Sequence, residues 1–218
     1  MKSVVILALF LGFTASAANA ATMVSFAGNA NGAAATGSAT ISLDAGGNSF
    51  TGTLTNTSPF DARITGFGFN IGPGNISGFT GTPNPITAPP VVDFDFTDGD
   101  LGNVPQFSGV NLDFGYTTGP SGNFAGGFPN DGLDNGQTLT FTITGAFAAM
   151  GLSEAEIAQA LFVRFQNVGA NGELSDVATT ALGTPTPQLG QVPEPASMLL
   201  LGGGLVYLAR RRLKSTDI

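Results

Sequence analysis

Strict alternation of apolar and hydroxyl side chains is the feature that most limits what this chain can fold into. In Leu139-Thr140-Phe141-Thr142-Ile143-Thr144 the Leu, Phe and Ile share one face of an extended strand and the threonines share the other. A helix, with its period of about 3.6 residues, would scatter the same side chains around its circumference. The pattern recurs in Phe50-Thr51-Gly52-Thr53-Leu54-Thr55, Ile64-Thr65-Gly66-Phe67-Gly68-Phe69-Asn70-Ile71, Val92-Asp93-Phe94-Asp95-Phe96 and Val110-Asn111-Leu112-Asp113-Phe114. Between Thr40-Ile41-Ser42-Leu43 and the run at Phe50 lies Ala45-Gly46-Gly47-Asn48, a hairpin connection with glycine where positive φ is wanted. Thr-rich outer faces, Phe/Ile/Leu inner faces and turns of Gly, Pro and Asn predict an all-β fold, an antiparallel β-sandwich or jelly-roll-like body.

One short helix interrupts it. Ser153-Glu154-Ala155-Glu156 is a capping box, and the helix is expected over about Glu154 to Ala160. Leu161-Phe162-Val163-Arg164-Phe165-Gln166-Asn167-Val168 then reads as a late core strand. The 32 Gly and 13 Pro could suggest disorder, but 18 Phe supply enough apolar surface to offset chain entropy. With 218 residues the chain divides into an N-terminal signal helix (1–20), an acidic β domain (21–178), a Thr/Pro/Gly/Gln-rich linker (179–191) and a tail (192–214) with a short hydrophobic transmembrane helix.

What is missing excludes much chemistry. There is no Cys, His or Trp. Disulfides are ruled out, as are the usual zinc, copper and haem ligands and every Ser-His or Cys-His nucleophile pair. From Ala21 to Gln191 two basic residues, Arg63 and Arg164, stand against thirteen acidic ones, a net −11. Such a body repels phosphate backbones, so nucleic acid is not an expected partner.

The two ends are addressed outward. Met1-Lys2-Ser3, an apolar run from Val4 to Phe13 and the small residues Ala18-Asn19-Ala20 form a secretory signal, cut by signal peptidase between Ala20 and Ala21, with Ala15-Ser16-Ala17 the weaker cut. At the other end Val192-Pro193-Glu194-Pro195 precedes an apolar run from Ala196 to Ala209 that includes Leu199, Leu200, Leu201, Leu205, Val206 and Leu208. That run, about fourteen residues, is shorter than the ~18–20 that comfortably span a bilayer. Arg210, Arg211, Arg212 and Lys214 would stay cytoplasmic and leave the body outside. This order of Val-Pro-Glu-Pro-Ala-Ser, short Leu/Gly-rich segment and terminal Arg cluster resembles the PEP-CTERM sorting signal, a tail also labelled an ice-binding-protein C-terminal domain. The resemblance implies a Gram-negative, exopolysaccharide-producing host and an exosortase that recognises Pro193, Glu194 and Pro195. It also implies at least transient anchoring in the inner membrane before transfer to the cell surface.

Within the body the candidate sites are acidic. Asp93, Asp95, Asp98 and Asp100, or Asn130-Asp131-Gly132-Leu133-Asp134-Asn135-Gly136, could offer hard oxygen ligands to Ca²⁺, but neither follows the EF-hand pattern, and Asp, Asn and Gly are ordinary turn residues. Paired carboxylates also serve glycoside hydrolysis, yet Tyr116 is the body's one Tyr and sugar-stacking rings are scarce. Gly32 to Ser38 lacks the P-loop lysine, and no Gly-x-Ser-x-Gly elbow occurs. Asn56-Thr57-Ser58 and Asn75-Ile76-Ser77 read as turns. The expectation is a noncatalytic surface or matrix protein without a required cofactor, associated with exopolysaccharide or biofilm. A Ca²⁺-dependent carbohydrate-binding sandwich and a secreted hydrolase are the alternatives.

Overall fold

The computed structural model describes residues 21–28, 35–72, 76–84, 92–119, 122–169, 171–172 and 174–180. The expected signal helix and the hydrophobic helix of the tail lie outside these residues. Ten strands are described: β1 Thr22–Ala27, β2 Thr36–Leu43, β3 Ser49–Asn56, β4 Arg63–Phe69, β5 Thr80–Asn84, β6 Asp95–Asp98, β7 Phe114–Thr117, β8 Thr138–Thr144, β9 Leu161–Val168 and β10 Leu174–Thr179. One helix, α1 (Glu154–Gln159), sits between β8 and β9. The strands form two antiparallel sheets, ordered β1-β2-β3-β8-β5 and β10-β9-β4-β7-β6.

The alternation read from sequence is what joins the sheets. Ile41, Phe50, Leu54, Leu139, Phe141 and Ile143 from the first sheet and Phe67, Phe69, Phe114, Tyr116, Val163 and Phe165 from the second are all buried in one core. Rings meet across the layer: Phe141 packs on Phe67 at 4.8 Å between centroids and Phe50 meets Phe69 edge-on at 5.3 Å. The Tyr116 ring stacks on Phe67 at 4.9 Å, and its hydroxyl donates to Thr142 O at 3.1 Å. Burial pushes this phenol well above the usual tyrosine range.

Sheet edges are not left open. Gly28 bridges to Ala178, linking the end of β1 to β10. At the other side the Asp98 carboxylate accepts from Gly78 N (2.9 Å) and Phe79 N (3.0 Å), tying the approach to β5 onto the end of β6.

Turn and cap chemistry follow the sequence. Gly47 turns the β2–β3 hairpin at φ +63°, and Asn48 N donates to Asp44 Oδ1 at 2.8 Å. That bond is the main cause holding the Asp44 carboxyl below its ordinary value. Ser153 Oγ accepts from Glu156 N at 3.3 Å while Ser153 N donates to Glu156 Oε2 at 2.8 Å, so both halves of the capping box form. Hydrogen bonds from the Ser153 side chain and backbone lower the Glu156 carboxyl. The helix stops at Gln159, with Ala160 as its cap.

Several expected strand boundaries change: β2 begins at Thr36, and β6 and β7 run on to Asp98 and Thr117. The run Val110–Phe114 is a strand only from Phe114, because Leu101 N bonds Leu112 O (3.1 Å) and Val104 N bonds Val110 O (3.0 Å), folding this stretch back on itself. Asp113 then turns inward, accepting from Ile71 N (2.8 Å) and Ile76 N (3.0 Å), which also ends β4 at Phe69 instead of Ile71. The Val92–Phe96 run enters its sheet only at Asp95, since Asp93 N is spent on Asp131 O at 3.1 Å.

Candidate functional site

The two sheets present opposite outer faces. None of the residues in β1, β2, β3, β8 and β5 is charged. The outward side chains fall in cross-strand rows: Thr40, Thr53 and Thr140 in one, Ser42, Thr51, Thr142 and Thr82 in the next, Ser25, Ser38, Thr55 and Thr138 in a third. Strand geometry spaces these hydroxyls about 4.8 Å across the sheet and about 6.7 Å along it. Neighbours pair: Thr55 and Thr138 Oγ1 lie 2.8 Å apart, Thr51 and Thr142 3.4 Å, and Thr40 and Thr53 are also hydrogen-bonded. This is a neutral surface of hydroxyls and methyls in a body whose net charge is −11.

The second sheet is covered instead. Leu101, Val104, Leu112 and Phe124 lie on Phe162 and Val177 as a smaller apolar cluster, so the stretches on either side of β7, around Leu101–Leu112 and at Phe124, roof the outside of this sheet. Gly68 and Gly115, paired in register, make the close approach possible: a Cβ on Gly68 would come within 2.8 Å of Leu112 Cδ1. Arg164 is buried here with 8% exposure, and desolvation lowers its pKa. The body's other cation, Arg63, pairs through Nε with Asp134 Oδ1 at 2.6 Å.

The acidic residues singled out from sequence are separated in their tasks. Asp93 and Asp95 project outward and are exposed, as the alternation requires. Asp98 holds the β5 approach, and Asp100 accepts from Gly102 N at 3.0 Å. Asp134, in the second candidate segment, is engaged by Arg63. Among the described residues no three His, Cys, Asp or Glu side chains are grouped as a metal site would require. No described helix is long and apolar enough to cross a membrane.

Both ends of the described body meet at α1. Thr22 Oγ1 donates to Glu154 Oε1 at 2.8 Å, Leu43 N donates to Glu154 Oε2 at 2.8 Å, and Thr180 Oγ1 donates to Ala158 O at 2.7 Å. Thr180, the last described residue, is buried beside the segment at which the described body begins. Sequence reasoning found the helix but not this role for Glu154, whose partners are distant in the chain. The residues expected for sorting (Val192 to Pro195), for the membrane segment and for signal cleavage at Ala20 lie outside the described residues; Ala21 is exposed at the start of the body.

No curated protein and no solved structure matches the chain. Among family models, residues 191–212 match the PEP-CTERM protein-sorting motif, so the sequence that follows the described β-sheet body is similar to an exosortase sorting tail.

Proposed function

We propose that this protein is a noncatalytic component of the bacterial cell surface or extracellular matrix, where its body contributes to exopolysaccharide or biofilm organisation. The match of residues 191–212 to the sorting motif carries the reading. Signal peptidase would release Ala21 as the new N-terminus, and residues 196–209 would hold the chain in the inner membrane with Arg210, Arg211 and Arg212 cytoplasmic. Pro193 and Pro195 restrict the backbone around Glu194 to extended conformations, a rigid element for a processing enzyme to read. The noncatalytic assignment draws on the lack of Cys and His and on the commitment of Asp98, Asp100, Asp113 and Asp134 to backbone or ion-pair contacts. The uncharged hydroxyl face is the surface suited to a sugar polymer, since it presents hydrogen-bonding groups and methyls without repelling an anionic matrix.

The test is fractionation of a host that contains an exosortase, comparing wild type with Glu194→Ala. The variant should accumulate in the membrane fraction with an altered mature mass. Equal mass and equal distribution would reduce the tail to a plain anchor.

A further inference from the structure

Where the β3–β4 connection meets the β9–β10 hairpin, an open groove of about 520 Å³ is lined by Phe60, Asp61, Asn167, Gly169, Asn171 and Gly172. That volume falls in the range of small-ligand sites. Register explains the meeting: β4 pairs Arg63 with Gln166, so the residues just before Arg63 come alongside Asn167 and the hairpin beyond it. Asn167 is the extra residue of a β-bulge, since Leu174 pairs with Val168 and Ser175 with Gln166, and its φ of +56° is left-handed. Bulges re-aim a side chain, and a non-glycine residue in this conformation is strained and must be held by its surroundings. The facing loop is pinned from the core. Buried Asn56 donates through Nδ2 to Ala62 O at 2.6 Å and Leu133 O at 2.9 Å, and its Oδ1 accepts from Ser58 N at 3.1 Å. Ala62 N closes onto Phe60 O at 2.8 Å, which fixes the turn that carries Asp61.

The groove brings together side chains of complementary kinds. Phe60 is half-buried: it packs against the core and also lines the groove. Asp61 is exposed, and among the described residues its carboxylate has no hydrogen bond or ion pair, because neighbouring Arg63 is taken by Asp134 and Pro129 O. The Asn167 amide has no hydrogen-bond partner among them either. An aromatic ring beside a free carboxylate and two amides matches the chemistry of a pyranose. The ring's negative face meets the sugar's C–H face, the carboxylate accepts from adjacent hydroxyls, and the amides both donate and accept. We propose that this groove is a carbohydrate-binding site for one neutral hexopyranose unit of a polysaccharide, with Phe60 as the stacking platform and Asp61, Asn167 and Asn171 as the polar contacts. A uronate or sulfated unit is disfavoured by Asp61 and by the body's net −11. The site gives a place and a sugar class to the matrix association proposed above and rests on that reading, while using none of the residues of the hydroxyl rows.

The experiment follows amide NMR shifts of the isotope-labelled full chain, in a sugar-free detergent with EDTA present. The probes are cello-, malto-, manno- and galacto-configured hexaoses, with hexagalacturonate as the anionic comparison. At least one neutral hexaose should bind saturably and shift the amides of Asp61, Asn167 and Gly169, and hexagalacturonate should not. Asp61→Asn, at an exposed position, removes a charged acceptor and should weaken binding about tenfold or more. Phe60→Leu keeps an apolar side chain against the core and should bind less tightly for want of the ring. Asn167→Gly suits the left-handed backbone, so it should melt no lower than wild type and yet bind less. No binding by any neutral hexaose, shifts confined to the hydroxyl rows, or wild-type affinity in all three variants would each overturn the site. The Glu194→Ala fractionation is read separately. Its failure would remove the sorting role with this binding intact, whereas shifts confined to Thr51, Thr53, Thr140 and Thr142 would remove this groove and leave the matrix role standing.

Discussion

Phe141→Ala should remove a large part of the body's stability, because this ring is where the two sheets interleave. Phe141 is 1% exposed and contacts Phe67 at 4.8 Å, Tyr116 at 5.7 Å, Phe50 at 6.2 Å and Phe69 at 6.4 Å. Three of those partners belong to the opposite sheet, so the missing ring leaves a void spanning both layers. Gly52 lies directly under the ring, with no side chain to relax into the space. Truncations of this kind cost about 3–5 kcal/mol when the surroundings cannot collapse. With a urea m-value of about 2 kcal/mol/M for a domain of this size, the midpoint should fall by about 2 M with m unchanged. Phe141→Leu, which conserves most of the volume, should cost less than about 2 kcal/mol. The assay is urea unfolding of segment 21–180 followed by far-UV circular dichroism. A midpoint shift below about 0.5 M for Phe141→Ala would mean that the sheets do not share this core.

Other expectations follow from single residues. Tyr116 is the one Tyr of the body, and its raised pKa predicts no phenolate absorbance at 295 nm from segment 21–180 until the segment unfolds. The unfolded chain would ionise near pH ~10 while the folded one stays protonated, so stability should be full below that pH and fall above it. Ser153→Ala removes the cap acceptor for Glu156 N and should cost about 1 kcal/mol by the same urea assay. Gly115→Ala would drive a Cβ into the Phe67 carbonyl and the Gly68 backbone of the paired strand, so the variant should fail to give a cooperative transition. Retention of wild-type cooperativity would show that the β4–β7 register is wrong.

Strands with one apolar and one hydroxyl face announced themselves. β3, β8 and the capped helix are found where the alternation and the Ser153 box place them, β2 begins at Thr36, ahead of the Thr40–Leu43 run read from sequence, and β9 spans the whole of Leu161–Val168. The strands that escaped notice lack that signature for physical reasons. β5 is Thr-Gly-Thr-Pro-Asn, and its inner positions carry Gly81 because the Phe96 and Tyr116 rings occupy the space a side chain would take. In β10 the usual distribution is inverted, with Leu174 exposed and Asp176 buried. β1 depends on pairing with β2 across a connection that no local motif predicts. The candidate acidic sites were visible as clusters in sequence, but their separation was not: Asp98 works on residues 78–79 and Asp134 on Arg63, partners that only the topology brings near.

The alternation carried one more distinction than a strand assignment uses. In β8 the residue opposite each apolar side chain is Thr, whereas in β4 and β7 it is mainly Gly: Gly66, Gly68 and Gly115 beside Phe67, Phe69, Phe114 and Tyr116. Threonine suits an outer face that meets water, because its hydroxyl is solvated and its β-branching favours the strand. Glycine is costly there, since it weakens a strand and packs nothing, so a run of outward glycines signals that something else must lie close to the backbone. In this protein that something is the chain's own side chains flanking β7: Leu101 and Leu112 before it and Phe124 after it. The consequence is a body with one face closed by itself and one left to its surroundings. The open face is the uncharged one, while Asp95 and Asp98 project from β6 of the covered sheet. Thr180, the last described residue, bonds α1, where β1 also begins, so both ends of the described body lie together, while the hydroxyl rows run across β2, β3 and β8.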